Sequence, residues 1–169
     1  MNNIQLLKKS VLLLLIPIFI LASCKKDDDS DGKNKELIGK WTITSSESEI
    51  TINGTDIVEF FMTELELSQS DAEMYAALFD YDMSGTIEFK SDGTYETITD
   101  GDTDNGTWEL NGDILTLDKG TGDEVDADVI TLTSSQLVFE ISETDSSGDI
   151  DEDGTNDTMV IKIKLTCSK

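Results

Sequence analysis

From Leu37 to Cys167 apolar and polar residues mostly alternate with a period of two, in short runs separated by turn residues. The runs are LIGKWTI (37–43), TIEFKS (86–91), GTYETIT (93–99), GTWELNG (106–112), DILTLDKG (113–120), DVITLT (128–133), QLVFEIS (136–142) and TMVIKIKLTC (158–167). In the last of them Ile161, Ile163, Leu165 and Cys167 share one face while Lys162 and Lys164 share the other, so one side is core and the other is wet. A Gly-Thr pair occurs at Gly54, Gly85, Gly93, Gly106, Gly120 and Gly154, and reads as hairpin punctuation, with glycine making the turn and threonine re-entering the strand. The Asn-x-Thr triplets at Asn53, Asn105 and Asn156 read as turns in the same way. The pattern predicts an all-β, antiparallel barrel of about seven or eight strands, closed or nearly so, since closure removes the edges that short strands expose.

One region breaks this pattern. Residues 55–79, TDIVEFFMTELELSQSDAEMYAALF, carry apolar residues at helical spacing, with Ile57, Phe60, Phe61 and Leu65 on one side and then Tyr75, Leu78 and Phe79. Asp56 with Glu59 suits a capping box for a first short helix, and Ser70 with Glu73 suits one for a second. A short two-helix insertion after the first strand follows, its aromatic stripe either packing against the barrel or covering a cavity.

Before the barrel the chain changes character twice. Lys8 and Lys9 precede an apolar run of twelve, VLLLLIPIFILA (11–22), too short for a permanent spanning helix and suited to a cleaved signal peptide, residues 1–23. Leu21-Ala22-Ser23-Cys24 resembles the lipobox of bacterial lipoproteins, which implies cleavage before Cys24 and diacylglycerol on its thiol. Lys25 stands where an aspartate would resemble an inner-membrane retention signal, and KKDDDSDG (25–32) resembles the acidic tether of surface-exposed lipoproteins of the Bacteroidetes. Residues 24–36 are then expected to be a lipidated leash that could reach about 40 Å, with the folded domain at 37–169. The expected address is the bacterial outer membrane, lipid-anchored and surface-exposed.

Loss of residues 1–23 leaves 146 residues, with ten lysines against 36 acidic residues and a formal charge of −26. Such a charge repels nucleic acid, and the absence of arginine removes the usual bidentate phosphate clamp. With Cys24 lipidated, Cys167 has no partner and is expected to be a buried thiol in the last strand. The chain has no histidine, so Ser-His-Asp and Cys-His arrangements cannot be built, and a non-enzymatic protein is expected.

Gly39-Lys40-Trp41 opens the first strand, and IEFKSDGTYE (87–96) with GTWELNGDILTL (106–117) follows it. Together these resemble the first five strands of the lipocalin-like domains of Bacteroidetes lipoproteins, over residues 37–167. The resemblance implies an apolar interior that holds a small lipophilic molecule, with the inserted helices in the long connection over the open mouth. No arginine is present to pack across Trp41, and no disulfide ties the C-terminus to the wall. Candidate inward residues, lining a pocket or filling a core, are Trp41, Phe89, Tyr95, Trp108, Leu117, Leu132, Leu137, Phe139, Ile141, Ile161 and Ile163.

Two acidic stretches resemble calcium loops. In LFDYDMSGTIEF (78–89), Asp80, Asp82, Ser84, Gly85 and Ile87 fall at EF-hand positions, but Ser91 stands at the twelfth, where a bidentate glutamate is needed, and a strand follows in place of a helix. DIDEDGTND (149–157) is the stronger candidate, offering Asp149, Asp151, Asp153, the Thr155 carbonyl and Asp157 around Gly154, although Val160 holds its twelfth position. The function expected is that of a membrane-anchored lipocalin-like lipoprotein that binds a small hydrophobic ligand or serves as an interaction module for a surface protein. The alternative is a calcium-stabilised structural or adhesion subunit with a filled barrel.

Overall fold

The structure, a computed structural model, describes residues 30–169 except Asp100. The expected signal peptide, the lipidation site Cys24 and the first part of the tether lie outside the described residues. The remainder of the expected leash is ordered: Ser30–Leu37 form a helix, α1. Eight residues including Gly32 and Asn34 make a poor isolated helix, so tertiary contacts must hold it. Leu37 is fully buried at its end, Lys33 Nζ reaches Asp113 Oδ1 at 2.5 Å, and α1 lies against two strands of the wall. Among the described residues no helix is long and apolar enough to cross a membrane.

The strands are β1 (Gly39–Ile52), β2 (Thr55–Asp56), β3 (Gly85–Phe89), β4 (Thr94–Thr99), β5 (Asp102–Asn111), β6 (Ile114–Leu117), β7 (Val125–Leu132), β8 (Gln136–Gly148) and β9 (Asp157–Ser168). β1 and β3 to β9 pair antiparallel in sequence order, and β9 returns to β1, closing an eight-stranded barrel. β1 serves two neighbours. Residues 39–43 pair with β3 from Gly39↔Phe89 to Ile43↔Gly85, and residues 42–52 pair with β9 from Thr42↔Ser168 to Ile52↔Met159. The register shift between Ile43 and Ser45 bends the strand between these two tasks. Beyond Ile43 only the two residues of β2, paired with Thr51 and Ile52, cover the β3 side of β1, so the ends of β1, β8 and β9 overhang the mouth.

β1 joins the short β2 through Asn53 and Gly54, with φ of 53° and 79°; two central residues with positive φ make the type I′ hairpin for which Asn-Gly is the favoured pair. Gly93, Gly120 and Gly154 also have positive φ in turns. Gly106 and Asn105 do not lie in a turn as expected; both sit within β5, for a packing reason given below. Gly85 opens β3 with φ +135°, where a Cβ would lie 1.9 Å from the Ile98 carbonyl oxygen, so a close strand approach demands glycine there.

Two helices follow β2. In α2 (Ile57–Thr63), Asp56 caps the N-terminus, its carboxylate accepting from the Val58 and Glu59 amides as the sequence predicts. In α3 (Gln69–Ala76) the cap is Ser68 rather than Ser70, with Oγ accepting from the Asp71 amide and donating to Asp71 Oδ2. Starting there turns Ala72 fully inward and leaves Ser70 exposed in the first turn. Two cores result. One fills the end of the barrel beneath α1, around Trp41, Phe89, Leu115, Leu137, Phe139 and Cys167. The other joins Ile57, Phe60, Phe61 and Ala72 of the helices to Ile50 and Ile52 on the overhang. All barrel strands and both cores lie within residues 30–169, so this portion can fold alone.

Candidate functional site

Strand alternation sends one set of side chains into the barrel, and their bulk decides which end is solid. Toward α1, Trp41, Phe89 and Phe139 are at most 1% exposed, and Phe89 packs edge-on to Trp108 with centroids 5.7 Å apart. Trp41 and Trp108 both find acceptors, the carbonyls of Leu37 at 2.7 Å and Lys90 at 3.1 Å. Lys169 supplies the cation that arginine does not: its Nζ lies 4.3 Å from the Trp41 ring centroid and donates to the carbonyls of Glu36 and Ile38. Burial holds its pKa below the usual lysine range. Cys167 is buried as expected, and desolvation pushes its thiol up to about 11.

Toward the mouth the bulk thins and a cavity of about 320 Å³ opens, lined by Tyr81, Met83, Tyr95, Leu117, Asp118, Val125, Ile141, Glu143, Ile161 and Ile163. On the β1 side the inward positions at this level are Ser46 and Ser48, too small to fill the space. The chain after α3 crosses over them. Ser46 Oγ donates to the Tyr81 carbonyl at 2.6 Å and Ser48 Oγ to Asp80 Oδ1 at 3.1 Å, while Met83 packs against the barrel core. The half-matched EF-hand stretch is therefore a strap across the mouth. Asp80 is committed to β1, and among the described residues no group of three converging carboxylates includes Asp80 or Asp82.

The cavity holds one polar pair, a buried tyrosine and a half-buried aspartate. Tyr95 donates its hydroxyl proton to Asp118 Oδ2 at 3.0 Å; burial, then this hydrogen bond, raise the Tyr95 pKa. Gly106 makes room for the pair, because a Cβ there would lie 1.8 Å from Asp118 Oδ1 and 2.6 Å from the Tyr95 ring.

The expected inward residues thus divide. Tyr95, Leu117, Ile141, Ile161 and Ile163 line the cavity. Trp41, Phe89, Leu137 and Phe139 are core, with Trp108 and Leu132 packed against it. Sequence reading missed Tyr81, Met83, Val125, Asp118 and Glu143. Glu143 continues the inward series Leu137, Phe139, Ile141, so parity alone could have found it; Asp118, at φ +54° after the end of β6, left no such signal.

Away from the barrel, carboxylate oxygens of Asp149, Asp151 and Asp153 lie within 4.8 Å of one another. The loop folds around them: the Asp153 amide donates to Asp149 and Asp151, and the Gly154 amide to Asp149. Asp157 does not join. It is buried, with one oxygen on Asn53 Nδ2 and the other on the Ile150 amide, where it ties this loop to the β1–β2 hairpin. The amide of Thr155 donates to Asp153 Oδ1.

The family model of the lipocalin-like domain matches residues 37–139. No curated protein and no solved structure matches the chain.

Proposed function

We propose, from the premise that this chain belongs to the lipocalin-like domain family, that its barrel binds a small hydrophobic ligand in the cavity at its mouth. The observation that carries this reading is the half-filled interior: one end is packed solid, and the other keeps about 320 Å³ walled largely by Leu117, Val125, Ile141, Ile161 and Ile163. The chain offers no histidine for general-base chemistry, which favours binding over catalysis. The test is titration of residues 30–169 with 1-naphthylamine, a lipophilic fluorophore that is uncharged at neutral pH and small enough for the cavity. Saturable blue-shifted binding near one equivalent is expected, lost in Ile163→Trp, which fills the cavity. Absence of saturable binding overturns the reading.

We further propose, from the Leu21-Ala22-Ser23-Cys24 segment, that acylated Cys24 holds the molecule on the bacterial outer membrane. Only residues 25–29 separate Cys24 from α1, at most about 18 Å of chain, against roughly 46 Å for the fourteen residues of β1. Because α1 seals the solid end, the mouth would face away from the lipid. Fatty-acid labelling in a bacterial host checks the anchor: wild type should be labelled and shortened by 23 residues, and Cys24→Ala should be unlabelled. Equal labelling of both removes it.

A second reading is carried by the three converging carboxylates of Asp149, Asp151 and Asp153: calcium bound there would pin the β8–β9 loop and make this a calcium-stabilised surface module. Its expected affinity is on the order of 10⁻⁴ to 10⁻³ M, as in extracellular modules. Thermal melts with calcium and with chelator, argued below, test it.

A further inference from the structure

The ionisable groups around the cavity are Tyr81, Tyr95, Asp118 and Glu143, and no lysine is among them. The chain has neither arginine nor histidine to supply a positive charge from elsewhere. Tyr95 could have been a donor for an anionic headgroup, but its single proton goes to Asp118, leaving it only lone pairs. That arrangement is enforced from below, because the space over Gly106 lets Asp118 and the Tyr95 ring meet there. A ligand with a carboxylate head would bring a further negative charge beside the half-buried Asp118 and the exposed Glu143, and these like charges repel it. An ammonium head reverses the sign of both interactions. The field of the whole acidic chain adds to the attraction.

Resting on the reading of the barrel as a hydrophobic-ligand site, we propose that its ligand class is a lipophilic amine, with the alkyl part against Leu117, Ile141, Ile161 and Ile163 and the ammonium group facing Asp118 and Glu143. Size narrows the class further. At about 30 Å³ for each water-sized group, 320 Å³ holds roughly eleven non-hydrogen atoms, the size of a ten-carbon amine.

The test is calorimetric titration of residues 30–169 with decylamine, decanol and decanoate at physiological ionic strength, below the concentrations at which they aggregate. Butylamine serves as the control for attraction to the acidic surface. Decylamine is expected to bind at least tenfold more tightly than decanoate, with decanol between them and butylamine far weaker than decylamine. Glu143→Gln and Asp118→Asn should each shrink the ratio of amine to decanoate affinity. Glu143 is exposed, so its variant keeps the test open if the Asp118 variant fails to fold. Decanoate binding as well as decylamine would overturn the amine proposal while leaving the hydrophobic-ligand reading intact. Butylamine matching decylamine, or a ratio unmoved in the folded variants, would also overturn it. Failure of all three ten-carbon probes would overturn both.

Discussion

Gly106 and Gly32 are the same residue type with opposite expected responses to a methyl group. At Gly106 the added carbon meets Asp118 Oδ1 and the Tyr95 ring, so Gly106→Ala should break the Tyr95–Asp118 hydrogen bond and cost about 1–3 kcal/mol. At Gly32, within α1, nothing lies within 4 Å of the new carbon, so Gly32→Ala should stabilise by about 0.5–1 kcal/mol through helix propensity. Urea unfolding of the two variants distinguishes these outcomes, and equal effects would refute both assignments. The sequence shows Gly106 only as one of six Gly-Thr pairs. Its role depends on Tyr95 and Asp118, eleven and twelve residues away along the chain, and no local pattern records such a contact. Trp41 was legible as an inward residue, whereas Lys169, which lies over its ring, carried no signal because no periodicity assigns a partner to a terminal lysine.

Elements were legible where their buried face was apolar. β9 was found almost to its ends, since Ile161, Ile163, Leu165 and Cys167 mark one face throughout. β1 was found only as far as Ile43, because its next inward positions are Ser46 and Ser48, polar side chains that serve the strap from Asp80 to Met83. The strand continues to Ile52 without a hydrophobic signature at that point, held by its pairing with β9. α1 was missed for a related reason: propensity argues against a helix there, and the decisive contacts are Leu37 in the barrel core and Lys33 on Asp113. Helix starts allow a direct check. Ser68→Ala should cost about 1 kcal/mol and Asp56→Ala a similar amount, while Ser70→Ala should be close to neutral because its hydroxyl caps nothing. A larger loss at Ser70 than at Ser68 in denaturant unfolding would restore the capping box read from the sequence.

At the scale of the whole molecule, a high negative charge converges, among the described residues, at Asp149, Asp151 and Asp153. The Asp153 amide lowers the pKa of Asp151, but desolvation and the charges of Asp153, Asp157 and Asp149 together outweigh it and raise the carboxyl above its ordinary value. A raised acid binds its proton more tightly in the folded state, so its contribution to stability is complete below the ordinary aspartate range and is lost as pH rises through the raised value. At neutral pH the loop is therefore self-repelling, and calcium at ten times its dissociation constant should raise Tm by roughly 4 °C. The rise should vanish near pH 3 and in Asp151→Asn, a variant that should itself melt higher than wild type without calcium. An unchanged Tm on adding calcium at neutral pH would leave the loop a solvated turn. The barrel and about half of the cavity lining could be read from alternation and the two inserted helices from helical spacing; Asp118, Tyr81 and Met83 could not, because they reach the mouth from irregular segments. The closing seam between β1 and β9 has a temporal consequence. It joins residues 42–52 to residues 159–168, the first long strand to leave a ribosome and the last. Every hairpin from β3 to β8 can zip locally as it emerges, and β1 can meet β3 and the helices early, but its other edge, residues 42–52, must wait unpaired until β9 appears. The lag between synthesis of the two edges is thus the interval in which this protein is most exposed to proteases and to pairing with its own copies, and a holding chaperone would have its window there.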